Sequence, residues 1–457
     1  MSIPPGPRGP ALLTLSRYVL RPEPFFRRGR ERYGLNFSAD LAGLGRFVFL
    51  GEPAALKDVF LGDPAILRTG EANAFAVHAL GERSLLTLDG EDHARARRTL
   101  IPPLHGEHLE RHGELVAALT HAEVDRWRAG EPLALENAAR EIALQVILRV
   151  VFGLGRGPQT EALAGAVREV MRLFANPLAF MAHLVPRTML RPTPWGRLRP
   201  LLAEVDRGLF RLINARRVEL EASPSEGAGE VLATLIRARD AQGAPLSDPE
   251  IRDHLFTILL AGHDTSAIAL AWVFSDLLPR PELCERVRAE LEAVSGSGPL
   301  GSGEVRQLRF LDALIKESLR LRPLVDFSVR RLAAPFEAGG VRYPAGITLA
   351  PCSLLAHFNP AVFPEPETFR PERFLEERPD PYTWIPFGGG QRRCLGMNFA
   401  LFELRTVLAT ILRRVRFAPR EPRRVEFQRR GLFLAPSDRA TFSPSEIVPA
   451  RPQEVST

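Results

Sequence analysis

Lysine is almost absent. Of 60 basic residues only Lys57 and Lys316 are lysines, the rest being arginines, and 54 acids leave a net charge of +6. The acids are interleaved with the arginines, so the sequence shows no basic stripe of the kind that follows nucleic acid. An acidic protein surface is the partner this balance fits. Cysteine is nearly as scarce: Cys284, Cys352 and Cys394 lie far apart, which excludes a disulfide framework and a CxxC zinc pair and points to a reducing compartment. No run of about 18 uninterrupted apolar residues occurs, so no membrane span is expected. The start, "MSIPPGPRGPALLTLSRYVL", has no charged leader ahead of an apolar stretch and reads as no export signal. A cytoplasmic protein is the expectation.

What is present is enough apolar residue for a large core. The chain has 457 residues, 45% hydrophobic and 25% charged, the balance of an ordinary globular protein. "RFVFLGEPAALKDVF" reads as a strand, a turn at Gly51 and Pro53, and a helix. From about 107 to 294 apolar residues recur at three and four spacing. Within that region Ser247 and Glu250 form a capping box, Pro249 sits in the first turn, and the apolar run lasts to Leu278, a helix about 45 Å long. A second helix is expected from Val305 to Arg322, stopped by Pro323. "FEAGGVRYPAGITLAP" and "GLFLAPSDRATFS" read as hairpins. Segments 184–200 and 222–229 read as loops. The expected fold is mainly α with small β-sheets (α+β): one domain over 1–445, a proline-rich start at 1–10, and a flexible tail at 446–457.

"PFGGGQRRCLGMNFALFEL", Pro386 to Leu404, sets three glycines and a cysteine against a helical run. A lone cysteine is more often a small buried hydrophobe. Here the glycines let backbone approach something large and flat, and a sulfur at a helix N-terminus is favoured as thiolate. The stretch resembles the haem-binding loop of the cytochrome P450 family, Phe-x-x-Gly-x-Arg-x-Cys-x-Gly, through Phe387, Gly390, Arg392, Cys394 and Gly396. The resemblance implies a helical fold around haem b, with Cys394 as the axial thiolate on iron. It further implies that Phe387 shields the sulfur, Arg392 pairs with a propionate, and the Gly388 to Gly396 loop carries the cofactor. A thiolate pushes electron density onto iron and favours cleavage of the O–O bond.

"AGHDTS", Ala261 to Ser266, lies mid-way along the long helix between "FTILL" and "AIALAWVF". Asp264 and Thr265 could make local helix bonds, but a carboxylate in so apolar a setting costs several kcal/mol unless paired. The motif is similar to the family's small-Gly-x-acid-Thr sequence. That implies Asp264 supplies protons and Thr265 retains peroxide until O–O scission, while Ala261 and Gly262 leave room over the haem. His263 receives no role.

Glu317 and Arg320 in "KESLRLRP" share a helix face, which alone is a weak surface pair. With Arg373 of "FRPERF" they resemble the family's buried charge triad, a structural support. His93 and Arg97 of "GEDHARARR", together with Arg330 and Arg392, resemble its propionate-binding set. Pocket walls implied by position are Phe75 and Leu85 in the 74–85 loop, Phe174 in 174–180, Ile258, Val325, Asp326, Phe327, Leu432 and Phe433. Asp326 is an acid that steers a polar group of the substrate or else faces solvent. His105, His108 and His357 read as ordinary histidines.

The implied activity is insertion of one oxygen atom of O2 into a hydrophobic small molecule, fatty acid, terpenoid or steroid-like. Electrons come from NAD(P)H only indirectly, through a ferredoxin and a ferredoxin reductase docking near Arg95, Arg98 and Arg393. A monomer is expected. Two rival readings are a peroxide-driven peroxygenase and a non-catalytic haem sensor or carrier; the acid and threonine speak against both.

Overall fold

The capping box at Ser247 starts the helix it predicts. Ser247 Oγ accepts the Glu250 N–H at 3.4 Å and the Glu250 carboxylate accepts the Ser247 N–H at 3.0 Å, and the helix runs Asp248–Leu277. A cap of this kind is worth about 0.5–2 kcal/mol, whereas each fully buried large side chain contributes about 1.5–3 kcal/mol. Phe256, Leu259, Leu270, Trp272 and Phe274 are all buried along it, so packing dominates its stability. This is the one helix among the described residues long and apolar enough to cross a membrane, and it is covered by protein along most of its length. The computed structural model describes residues 3–104, 107–155, 157–176, 194–223, 230–240, 242–296, 298, 300–421 and 424–450.

Helices Leu135–Val146, Leu198–Ala222, Arg309–Leu321 and Met397–Arg414 pack around the long helix. Beside them stands a five-stranded sheet. Its spatial order is Asn36–Leu41, Gly45–Leu50, Thr348–Pro351, Arg330–Leu332 and Leu67–Arg68. Gly45–Leu50 pairs in parallel with Thr348–Pro351, Phe47 opposite Thr348, and the other pairings are antiparallel. The expected strand, turn and helix appear as Gly45–Leu50 and Pro53–Leu61. The hairpin Phe336–Ala338 with Val341–Tyr343 turns at Gly339 and Gly340, whose φ of 58° and 70° suit glycine.

Four expectations are corrected. The helix expected from Val305 to Arg322 is two, Ser302–Gln307 and Arg309–Leu321. The Glu290 carboxylate, from a neighbouring helix, accepts the N–H groups of Phe310 and Leu311 at 2.6 and 3.0 Å and caps a new start. The last hairpin is not within "GLFLAPSDRATFS": Phe433–Pro436 pairs backward with Phe427–Arg430 around Gly431, which has φ 58°. Thr441–Phe442 pairs instead with Leu133–Ala134, because Arg439 and Ala440 turn the chain through left-handed backbone, φ 56° and 49°. Strand Pro444–Ile447 pairs with Val415–Phe417 and so enters the expected tail. The expected 184–200 loop lies outside the described residues as far as 193, and beyond it a helix begins at Leu198.

Candidate active site

Cys394 precedes its helix rather than beginning it: the helix is Met397–Arg414, preceded by Gly396. The Cys394 N–H donates to Phe387 O at 2.8 Å, closing the loop, and Phe387 packs edge-on against Trp384. Cys394 is an exposed residue, yet enclosure of its thiol by the surrounding protein raises the pKa, with the Gly396 N–H and the Arg97 and Arg393 charges acting the other way. Enclosure therefore outweighs any helix-end effect. The glycines have a different cause from the one expected. A Cβ on Gly389 would fall 2.5 Å from the Phe60 ring, and on Gly390 1.9 Å from Phe60 O. The loop is glycine-rich because it packs against helix Pro53–Leu61, and only Gly388 and Gly390 need left-handed backbone, φ 67° and 62°.

Above this loop lies a group of cations short of anions. Arg330 is 4% exposed, and the hydrogen bond its guanidinium makes goes to its neighbour Val329 O at 2.8 Å. Burial, then the Arg392 charge, pushes its pKa down to about 9. Burial, then Arg392 and Arg97, holds His93 down to about 3, so it stands neutral. Arg392 itself is lowered to about 10, by burial first. The acid among them is Asp89, which pairs with Arg392 at 2.6 Å and already accepts the N–H groups of Thr69, Gly70 and Glu71. Arg97 donates to Arg393 O at 2.7 Å. His93, Arg97, Arg330 and Arg392 are thus brought together with an excess of positive charge.

On the long helix, Ile258, Leu260, Ala261, Gly262 and Thr265 are the incompletely buried positions of the central turns. The spacing places all of them except Leu260 on one face. Thr265 Oγ1 donates to Ala261 O at 2.5 Å, and a Cβ on Gly262 would lie 2.9 Å from Ile147, so this glycine admits a π-helical turn, Ile147–Val151, as well as widening the face. Asp264 is buried and held by Arg140, Nη1 to Oδ1 3.3 Å. His263 Nδ1 stands 3.5 Å from the same oxygen, its pKa lowered by burial.

The sequence profile of the cytochrome P450 family matches residues 4–443. The protein named cytochrome P450 135B1 in Mycobacterium tuberculosis is 37% identical over 420 residues, 91% of this chain and 85% of that one. Cytochrome P450 137 of the same organism is 34% identical over 418 residues, covering 91% and 84%.

The chain belongs to the cytochrome P450 family.

Two solved structures share the fold. A cyanobacterial CYP120A1 bound to retinoic acid has a TM-score of 0.84 at 24% identity, over 98% of this chain and 100% of that one. The haem domain of cytochrome P450DA gives 0.82 at 21%, over 98% of each. As a P450 monooxygenase the protein uses haem and O2, and its residues fit that cofactor: exposed Cys394 accompanies a cationic cluster in which Arg330 is buried and pairs with no carboxylate among the described residues.

The triad is assembled in this P450. Arg320 Nε and Nη2 grip Glu317 at 2.8 and 2.9 Å, and Arg373 Nε reaches the same carboxylate at 3.1 Å. Both Glu317 and Arg320 are fully buried. His357, read as a surface or packing histidine, is the packing kind, fully buried. Its Nδ1 lies 2.9 Å from Arg320 O and its Nε2 accepts the Ile385 N–H at 2.9 Å, tying the triad to the residue two before Phe387. Burial, then Arg320, lowers its pKa to about 3, which keeps the acceptor nitrogen free of a proton. Glu403, unmarked in the sequence, is buried and bonded to Ser266. Neither had a local sequence signal.

The pocket residues divide. Val325 and Leu432 are 37% and 43% exposed, and Leu85, Phe174, Ile258 and Phe433 are half-buried. The Phe75 side chain, residues 177–180, His105 and the His108 side chain lie outside what is described. Two readings are corrected. Asp326 is 3% exposed and paired with Arg429 at 2.6 Å, so its charge is balanced inside the protein and does not face solvent. Phe327 packs among Tyr18, Phe26, Phe47 and Phe49, in the core beside the sheet. A groove of about 530 Å³ bounded by Arg27, Arg30, Arg322 and Arg424 includes neither Cys394 nor the open face of the long helix.

Proposed function

We propose that Cys394 is the axial ligand of a haem b whose propionates are held by His93, Arg97, Arg330 and Arg392. The observation that carries this is Arg330, which pairs with no carboxylate among the described residues: a buried guanidinium so placed is costly, and an anion there removes the cost. Phe387 and Gly396 frame the sulfur. Haem ligated by thiolate supplies activation of O2 when bound.

The remaining work falls to the long helix. Ala261 and Gly262 keep side-chain bulk off its open face, and Thr265 presents its hydroxyl there while donating to Ala261 O. Asp264 moves protons toward Thr265, and does so from a buried position in which Arg140 holds it. The substrate is a hydrophobic small molecule, fatty acid, terpenoid or steroid-like, bounded by Leu85, Phe174, Ile258, Val325, Leu432 and Phe433, as apolar pockets usually are. Electrons come from NAD(P)H through a ferredoxin reductase and a ferredoxin. The ferredoxin docks over exposed Arg98 and Arg393; Arg95 contributes less, being paired with Asp92 at 2.7 Å. The protein acts as a cytoplasmic monomer with one catalytic domain over 1–445.

The test is a ligand titration followed through the Soret band, then turnover with O2 and reduced ferredoxin against turnover with hydrogen peroxide alone. Product from the first and little from the second supports a monooxygenase; the reverse supports a peroxygenase, and none from either a sensor.

A further inference from the structure

Arg429 and Arg430 are consecutive in the strand Phe427–Arg430, so their side chains leave opposite faces of the hairpin. Arg429 turns to Asp326, 2.6 Å away, and covers the Tyr18 ring at 4.5 Å. Arg430 turns the other way to Glu136, which is fully buried at the start of helix Leu135–Val146. The hairpin tip, Leu432 and Phe433, is thereby fixed from both sides.

Glu136 serves a second arginine. One turn along the same helix, Arg140 places Nη2 3.0 Å from Glu136 Oε1, the oxygen that Arg430 also contacts. Arg140 Nη1 is the group 3.3 Å from Asp264 Oδ1. Two guanidiniums, one from the pocket hairpin and one holding the acid of the long helix, therefore share one oxygen. The seating is incomplete: among the described residues Glu136 Oε2, Arg140 Nε and Nη2, and Asp264 Oδ1 make no aligned hydrogen bond. Arg140 thus has two carboxylates within reach and is locked to neither. Arg439 adds a third positive charge facing Glu136, and its carbonyl accepts the Glu136 N–H at 3.2 Å.

We propose that Glu136 is a positioning residue that couples the hairpin 427–436 to the Asp264 carboxylate, because Arg430 and Arg140 compete for its Oε1. A ligand that displaces Leu432 or Phe433 moves Arg430, changes the hold of Arg140 on Asp264, and so sets proton delivery by pocket occupancy. This rests on the reading above for the roles of Asp264 and of the hairpin tip, but the coupling itself is a property of four side chains.

The test is amide hydrogen exchange over 427–436 in the haem-loaded protein, for wild type, Asp264→Asn, Arg430→Gln and the double variant. Asp264→Asn leaves Arg140 only Glu136 to pair with and displaces Arg430, so hairpin exchange rises about threefold or more. Arg430→Gln raises it by itself, and adding Asp264→Asn then changes nothing further. Arg430→Lys substitutes where Arg430→Gln does not fold, since it too loses the paired geometry. Wild-type exchange in Asp264→Asn, or effects of the two variants that simply multiply, overturns the coupling. Hydrogen peroxide release separates the two readings: if Asp264→Asn does not raise it, the proton role of Asp264 falls while the coupling is still judged by exchange.

Discussion

The Glu403 carboxylate accepts a 2.7 Å hydrogen bond from Ser266 Oγ, joining the helix that follows Cys394 to the residue after Thr265. Its other oxygen makes no hydrogen bond among the described residues. Burial pushes the Glu403 pKa up to about 7, with Ser266 acting against it.

A carboxyl raised in this way prefers its proton in the folded protein. It contributes stability below the unfolded value near 4.5 and loses that contribution as pH rises through about 7. Glu403→Gln keeps the hydrogen bond without the charge. It is expected to gain on the order of 2–3 kcal/mol over wild type above pH 7 and nothing near pH 4, read by urea unfolding at the two pH values.

His357 works in the opposite direction. Its pKa is depressed to about 3, so the unfolded chain takes up the proton first and stability falls as pH drops below about 6.5. Replacing it by Gln is expected to lower stability at pH 7, by about 1–3 kcal/mol for the two lost bonds, and to flatten the acid side of the stability profile. An unchanged acid slope would remove the argument.

Arg330 gives a prediction of two signs. Arg330→Met removes an uncompensated buried cation, so the haem-free protein is expected to become more stable by about 1–3 kcal/mol. The same change removes a propionate partner, and haem transfer to a scavenging globin should quicken about tenfold. Both effects in the same direction would contradict the assignment.

Glu317→Ala leaves Arg320 and Arg373 facing one another with no carboxylate between them. The cost is expected at about 3–5 kcal/mol, measured by denaturant unfolding, and the protein should fold poorly at 37 °C. A loss under 1 kcal/mol would show that the carbonyl contacts of Arg320 at His357, Pro366 and Thr368 and of Arg373 at Pro364 and Thr368 suffice.

What was legible in the sequence is what is contiguous. The Phe387 to Gly396 motif, the capping box at Ser247 and the "AGHDTS" turn each carry their pattern within a few residues, as does the Glu317 and Arg320 half of the triad, whereas Arg373 joins it from 56 residues away. What was not legible depends on partners far along the chain. The charge on Asp326 is balanced by Arg429, 103 residues later, and Glu136 meets Arg430 across 294. Glu290 splits a helix it does not belong to. The glycines before Cys394 were correctly marked as a close approach, but the approaching group is Phe60, which no pattern near residue 389 announces.

Thiolate ligation through Cys394 is decided by the absorption spectrum of the reduced, carbon monoxide-bound protein, for wild type and Cys394→His. The red-shifted Soret band of thiolate ligation is expected in wild type, and its loss, with haem still bound, in Cys394→His. A wild-type protein that stays colourless with ample haem, or a red-shifted band that survives the substitution, would contradict it.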